Sequence, residues 1–162
     1  MNKLILFALC GSLFLSACNN ADNAGSDNNS ATEAVYDGTD GTIVLKAGDD
    51  MKFNLKELKA KAGQSIQLRL QHTGKAGKGV MGHNFVLLKE GASLDAFVSR
   101  AIKAAENDYV PPADPDVMVH TKMLGGGESD DITFVVPAPG RYPFLCSFPG
   151  HAMAMNGLLI VE

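Results

Sequence analysis

One short stretch near the C-terminus, residues 146–155, most constrains how this chain can fold. It carries Cys146, His151 and Met155, so that a thiol, an imidazole and a thioether follow one another at intervals of five and four residues. The runs on either side, 141–145 and 158–161, are rich in aromatic and aliphatic residues that favour strands. Pro149-Gly150 indicates that the chain turns back between them. The three donors are therefore expected in a loop at one end of a β-structure.

This set of donors favours a copper site. A thiolate and imidazole with a weak axial thioether suit a copper ion that changes between Cu(I) and Cu(II). Such a site needs a second imidazole, which the loop does not contain. His83 is the best candidate, because it begins an apolar strand and follows Gly82. The absence of a side chain on Gly82 would let the backbone approach a metal ion closely.

The N-terminus predicts export and lipidation. Lys3 and the apolar run 4–15 precede Leu15-Ser16-Ala17-Cys18, which resembles a bacterial lipobox in which Cys18 receives the lipid. The apolar run is too short to favour a spanning helix, so we expect an anchor of acyl chains. The alternative is an ordinary signal peptide with a chance cysteine.

The chain is accordingly divided into three parts. Residues 1–17 are predicted to be a lipoprotein signal peptide. Residues 18–40 are predicted to be the lipidated cysteine and a disordered tether, because Asn, Asp, Ala, Ser and Gly dominate the segment and cannot bury enough apolar surface to order it. Residues 41–162 form the predicted folded domain.

Cysteine use and charge narrow the possible functions. Of three cysteines, Cys10 would leave with the signal and Cys18 would carry lipid, so Cys146 stands alone in the domain. A leftover thiol in an exported protein calls for a reason, and metal ligation is the best one. The chain has 14 basic and 18 acidic residues and no tryptophan. Without a basic stripe, nucleic-acid binding has little support.

The pattern of residues 41–162 predicts an all-β fold, a Greek-key β-sandwich of about eight short strands with one inserted α-helix at about 93–106. Apolar residues recur at helical spacing from Leu94 to Ala105, and Ser93 is placed to cap the helix. Strands or extended segments are expected at 42–46, 51–55, 66–70, 80–88, 115–121, 131–136, 141–145 and 158–161.

Three motifs together resemble azurins, the small blue-copper cupredoxins of bacteria. They are Met81-Gly82-His83-Asn84, His120-Thr121-Lys122 and Cys146-x-Phe148-Pro149-Gly150-His151-x3-Met155. The resemblance extends over about residues 41–162 and makes a cupredoxin fold the expected one.

The resemblance implies one type 1 copper site. The copper plane would consist of His83, Cys146 and His151, with Met155 as a long axial ligand and the Gly82 carbonyl oxygen as a weak ligand opposite. It also implies that Asn84 ties the two ligand-bearing segments together. The backbone N–H groups of Asn84 and Phe148 would donate to the thiolate and tune the reduction potential.

The resemblance further implies an electron carrier and not an enzyme. The likeness of lipobox and tether to those of lipid-anchored azurins predicts a monomer at the periplasmic face of a membrane, and Asn19 favours the outer membrane. Expected partners are c-type cytochromes, copper nitrite reductase or cytochrome c peroxidase. An apolar docking patch is expected around the edge of His151, formed by Met51, Met81, Phe148, Pro149, Gly150, Met153 and Ala154.

Other interpretations remain open at this point. A copper delivery or storage protein is one, although a flexible Met- or Cys-rich motif would suit that role better. A multicopper enzyme would need more than the four histidines present. Zinc also accepts His and Cys ligands. His72 is interpreted as a buried histidine that does not ligate, with or without a protonation coupled to redox state, and His120 as a solvated one.

Overall fold

The structure is a computed structural model that describes Ala34–Val35, residues 42–136 and residues 138–162. The predicted signal peptide, Cys18 and most of the predicted tether lie outside these residues. The elements in chain order are β1 (Ala34–Val35), β2 (Ile43–Ala47), β3 (Glu57–Ala60), β4 (Ser65–His72), α1 (Lys78–Met81), β5 (Val86–Leu88), α2 (Leu94–Ala101), a 3₁₀ turn (Ala105–Asn107), β6 (Val117–His120), β7 (Ser129–Val135), β8 (Gly140–Leu145) and β9 (Asn156–Val161).

The strands form two sheets that enclose one main apolar core. One sheet has the order β1-β3-β9-β8-β5-β6 and the other the order β2-β4-β7. Burial alternates strictly along β4, where Ile66, Leu68 and Leu70 point inward between exposed polar residues. Phe85 and Phe144 pack in the same core with ring centroids 5.3 Å apart. The predicted all-β sandwich with an inserted helix is confirmed.

Strand directions bring several loops to one end of the sandwich, here called the site end. The loop 146–155 joins β8 to β9, which pair antiparallel through Leu145 and Asn156. Val86 pairs with Leu145, so the residues preceding β5 reach the same end. Ala47 pairs with His72, and the next residue, Gly48, accepts a hydrogen bond from His83, so β2 and β4 both finish there. The opposite, far end carries Ala60, Leu88 and Val135, the last residues of β3, β5 and β7.

The predicted strand at 51–55 is wrong. Met51 has a left-handed φ of +54°, and only Phe53 makes an isolated bridge, to Ala47. Phe53 and Leu55 are nevertheless buried, which explains the misleading alternation. The strand lies instead at Glu57–Ala60, whose residue types all favour helices. Parallel pairing with β9 overrides that local preference.

The inserted helix is shorter than predicted. Ser93 caps it as expected, with Oγ accepting the N–H of Ala96 at 3.3 Å. The α-helix ends at Ala101, and the chain is no longer helical at Ala104, where φ is −112° and ψ is 43°. Ile102 is 53% exposed, so the apolar stripe does not continue as its spacing indicates.

The predicted strand at 80–88 and the tether also differ from the structure. Only Val86–Leu88 is a strand, and Lys78–Met81 forms the short helix α1. Ala34–Val35, inside the predicted tether, pairs in parallel with β3. None of the helices in the described parts of the chain is long and apolar enough to cross a membrane.

Candidate metal centre

The loop 146–155 is folded by hydrogen bonds of its own backbone. The N–H of Cys146 donates to the carbonyl oxygen of Met155 at 2.9 Å, and the N–H of Met155 donates to that of His151 at 2.8 Å. Gly150 has a φ of +84°, a left-handed conformation that glycine adopts without steric cost. This compact turn places Cys146, His151 and Met155 on one side of the loop.

Three buried side chains converge on one point. The Cys146 Sγ lies 3.9 Å from Nδ1 of His83 and 3.7 Å from Nδ1 of His151, and all three donor atoms lie within 4.8 Å of one another. His83 and Cys146 have no exposed surface and His151 is 3% exposed. Metal bonds of about 2.0 Å to nitrogen and 2.3 Å to sulfur, arranged trigonally, would separate the sulfur from each nitrogen by about 3.7 Å. The geometry therefore fits a single ion in the plane of the three donors.

A backbone carbonyl orients His83. Nε2 of His83 lies 2.8 Å from the carbonyl oxygen of Gly48, which can only accept a hydrogen bond. The Nε2 nitrogen therefore carries the proton, and the lone pair of Nδ1 faces Cys146. Sequence reasoning missed this contact, because a backbone oxygen in the turn at 48–51 leaves no signature in residue type.

Gly82 lies beside the three donors, and Met155 is buried at the end of the loop that carries two of them. The carbonyl oxygen of Gly82 is 3.8 Å from the Cys146 Sγ, and the Met155 side chain is fully buried. The need for glycine differs from the predicted one. A Cβ on Gly82 would lie 2.5 Å from the carbonyl oxygen of Lys78 and 3.0 Å from Sδ of Met123. Close packing against α1, and not the approach to a metal ion alone, excludes a side chain here.

Asn84 connects the two segments that carry the ligands. Its Oδ1 accepts the N–H of Ser147 at 2.8 Å, and its Nδ2 donates to Oγ of Ser147 at 2.8 Å. Asn84 is fully buried, so both bonds are protected from water. The segment before β5 and the loop after β8 are therefore held in fixed relative positions by hydrogen bonds that need no metal ion.

Replacing Asn84 with leucine is expected to lower the free energy of unfolding by about 2–4 kcal/mol. Its two hydrogen bonds with Ser147 and a longer one, at 3.5 Å, to the carbonyl oxygen of Asp108 are lost, and a buried N–H of Ser147 is left unpaired. Urea unfolding of the metal-free protein measures this. Asn107→Leu is the control, since Asn107 is exposed and, among the described residues, its side chain bonds only that of Glu106. That control should stay within about 0.5 kcal/mol of the unaltered protein. An equal effect of both variants would contradict the role given to Asn84.

Burial keeps the metal-free cluster uncharged. It raises the pKa of the Cys146 thiol to about 11, although the backbone N–H groups of Asn84 and Phe148 donate to the sulfur and oppose the rise. Burial also lowers the pKa of His151 to about 4, with a further contribution from His83. The pKa of His83 is lowered by burial as well. At neutral pH the cluster therefore consists of a thiol and two neutral imidazoles, and its two imidazole lone pairs can bind a cation.

His72 and His120 are not arranged as ligands. Nδ1 of His72 accepts the N–H of Gly74 at 3.1 Å, and its Nε2 donates to the carbonyl oxygen of Met81 at 2.8 Å, so both ring nitrogens are in use. The ring stacks on His83 with centroids 4.5 Å apart. His120 is exposed, and its Nδ1 donates to the carbonyl oxygen of Thr121.

The residues of the predicted docking patch differ in exposure. Met153 is 86% exposed, while the half-buried Phe148 packs its ring against His151 with centroids 4.6 Å apart. On its other side Phe148 contacts Tyr109, at 5.6 Å. Val80 in α1 is 73% exposed, which the predicted apolar strand at 80–88 did not indicate. Of the other predicted members, Met51 and Met81 are half-buried, and Pro149, Gly150 and Ala154 are exposed.

Comparisons with known proteins agree with this geometry. The model of the copper-binding plastocyanin/azurin family matches residues 40–162. An azurin of Bordetella pertussis is 44% identical over 123 residues, which are 73% of this chain and 81% of that protein. The outer membrane protein H.8 of Neisseria gonorrhoeae is 40% identical over 116 residues, 70% of this chain. The match covers 63% of the H.8 protein, so this chain spans less than two thirds of its length.

Solved structures show the same likeness. Dithionite-reduced auracyanin from Roseiflexus castenholzii is similar with a TM-score of 0.68 and 35% identity, covering 76% of this chain and 98% of that one. An azurin from Methylomonas sp. strain J reaches the same TM-score of 0.68 at 28% identity, covering 75% of this chain and 97% of that one. With three buried donors spaced for one ion of type 1 copper, the chain belongs to the plastocyanin/azurin family of copper-binding proteins.

Proposed function

We propose that this chain carries single electrons between redox partners, using one type 1 copper ion held by His83, Cys146 and His151. The observation that supports this most is the close approach of three buried donors, with Cys146 Sγ 3.7 and 3.9 Å from the two Nδ1 atoms. Copper bound there would supply one-electron chemistry between Cu(I) and Cu(II).

The protein's own part is to hold the ligands still. Two hydrogen bonds orient the donors: His83 Nε2 donates to the carbonyl oxygen of Gly48, and the N–H of Ser147 donates to Oδ1 of Asn84. The sheets on either side leave the fully buried Cys146 and Met155 little room to move. Ligands that need little rearrangement between oxidation states lower the barrier to electron transfer, and we assign that task to this scaffold.

Absorption and EPR spectra after addition of Cu(II) test the site. An intense thiolate-to-copper band with narrow copper hyperfine splitting, together with reversible voltammetry, is the expected result. A pale spectrum with ordinary hyperfine splitting would mean that Cys146 does not bind in the plane. The electron-carrier proposal would then give way to copper storage or to a zinc site.

Met153→Glu tests the proposed docking patch. A charge near the edge of His151 should slow electron self-exchange by about tenfold at low ionic strength, because two like-charged faces must meet. The spectrum should not change, since Met153 is exposed and lies outside the ligand set. Line broadening in NMR spectra of partly oxidised protein gives the exchange rate.

Val135→Glu is the matched control for that prediction. It introduces the same charge at a residue that is 52% exposed but lies at the far end of the sandwich. An equal loss in both variants would show only the effect of net charge and would reject the patch around His151.

Partners and location belong to the same proposal. We propose c-type cytochromes, copper nitrite reductase or cytochrome c peroxidase as its partners. We also propose that the protein is a monomer at the periplasmic face of the outer membrane. The similar H.8 protein of Neisseria gonorrhoeae is named as an outer membrane protein, which supports that location. Cys18 is the proposed lipid attachment site, and labelled palmitate should enter the unaltered chain but not Cys18→Ala. Label in both would reject Cys18 as the site.

A further inference from the structure

A groove of about 610 Å³ beside the turn at 48–51 collects positive charge. Lys46, Lys52 and Lys56 line it, and Asp50 is the one carboxylate among its lining residues. Three lysines and one aspartate give the groove a formal charge of +2. The whole chain has a formal net charge of −4. The groove therefore has a charge opposite to that of the molecule as a whole.

The groove is built by specific contacts. Asn54 binds the backbone of Lys46 twice, since its Oδ1 accepts the Lys46 N–H and its own N–H donates to the Lys46 carbonyl oxygen at 3.0 Å. This pairing brings Lys52 and Lys56 beside Lys46. None of the ion pairs within the described ranges involves these three lysines. Asp49 does not line the groove, and its carboxylate accepts the N–H groups of Lys75 and Ala76.

The groove adjoins the metal centre and the loop 146–155. Gly48, a lining residue, is the one whose carbonyl oxygen accepts the Nε2 proton of His83 at 2.8 Å. Nζ of Lys56 donates to the carbonyl oxygen of Ala154, inside the loop 146–155. The positive charge therefore lies at the border of the proposed docking patch.

We propose that this lysine groove receives carboxylates of an acidic redox protein and orients it over His151. The inference rests on the proposed electron-carrier function and adds the charge of the partner to it. Complementary charges at the rim of an interface mainly raise the association rate and set the orientation. An anionic membrane is the less favoured occupant, because binding it here would cover the surface through which a partner must reach His151.

The test uses ferrous cytochrome c in two forms, the basic native protein and the succinylated protein, whose lysines have become carboxylates. In each reaction one electron leaves the ferrous haem and reduces Cu(II) to Cu(I), and no proton is transferred. At about 10 mM ionic strength, Lys46→Glu/Lys52→Glu should slow the reaction with succinylated cytochrome c at least about tenfold. The reaction with native cytochrome c should become faster. Both changes should vanish at about 0.5 M salt.

A second measurement reads binding without electron transfer. Succinylated ferrous cytochrome c added to the Cu(I) protein should shift the ¹⁵N amide signals of residues 46–56, and the double variant should lose those shifts. The matched control is Lys61→Glu/Lys89→Glu, which changes the net charge equally at two lysines that follow β3 and β5 at the far end. Neither control lysine belongs to an ion pair within the described ranges.

The outcomes separate the inference from the function on which it rests. Equal effects of the two double variants on the succinylated cytochrome would overturn the lysine groove while leaving the electron carrier intact. Failure of the unaltered protein to exchange electrons with either cytochrome would instead reject the carrier function. Binding to phosphatidylglycerol vesicles that depends on Lys46 and Lys52, with unchanged cytochrome rates, would reassign the groove to the membrane.

Discussion

Cys146→Ser is expected to abolish the intense visible absorption of the copper-loaded protein. The band arises from charge transfer between a thiolate and copper, and Cys146 is the one cysteine in the predicted domain. A serine hydroxyl stays protonated at neutral pH and offers copper only a weak oxygen donor. Absorption spectra of both proteins after addition of one equivalent of Cu(II) measure the loss.

Met155→Leu is the matched control for this substitution. It also alters a fully buried sulfur-containing side chain at the site, but it keeps the thiolate and both imidazoles. The intense band should therefore survive, while the reduction potential should shift because Met155 is the proposed axial group and such a group tunes the potential. Circular dichroism shows whether each variant is folded. A folded Cys146→Ser protein that kept the band would reject Cys146 as the copper ligand.

Copper affinity is expected to rise about tenfold for each pH unit between pH 5 and pH 8, or about a thousandfold over this range. Burial raises the pKa of Cys146 to about 11, so the metal-free protein holds a thiol over the whole range and copper must displace one proton. The pKa of His151 is lowered to about 4, so this imidazole is already neutral and releases no proton. Raising the pH removes the competing proton from the sulfur and thereby favours the bound state.

Competition with a Cu(I) chelator of known pH dependence measures the slope of the logarithm of copper affinity against pH, which is expected to be about one. Cys146→Ser should bind far more weakly and with little dependence on pH from 5 to 8, because no thiol proton is displaced. A slope near zero in the unaltered protein would show that Cys146 is already a thiolate without copper. A slope near two would show that one imidazole stays protonated in the metal-free protein.

These expectations depend on a site whose ligands are buried and neutral before metal binds. An isolated charge in such a place is costly, so the thiol keeps its proton and the imidazoles give theirs up. A bound cation reverses the balance for sulfur by stabilising the thiolate. The same burial that raises the pKa of Cys146 therefore links metal loading to proton release.

The structure also shows where residue patterns mislead. Phe53 and Leu55 alternate as in a strand and are buried, yet the left-handed Met51 and the pairing of Asn54 with Lys46 make a bend. Glu57–Ala60 has a composition that favours helices and is a strand, because the open edge of β9 supplies hydrogen-bond partners. Local preference of about 1 kcal/mol per residue or less yields to such pairing.

The sequence by itself determined the chemistry of the site and the class of fold. Cys146, His151 and Met155 lie within ten residues, so a tight loop can bring them together without contacts from distant segments. Alternating strands between turn signals predicted the sandwich. The apolar context of His83 and the family resemblance predict this residue as the second imidazole ligand.

Tertiary structure alone decided what supports that site and what surrounds it. The Gly48 carbonyl is 35 residues from His83, and Ser147 is 63 residues from Asn84, so no local pattern could predict either contact. The lysine groove likewise exists only because Asn54 folds its segment back onto β2. The residue types determine which metal-binding side chains the chain contains. Contacts between distant segments depend on how the strands pair, and strand pairing is a property of the whole fold.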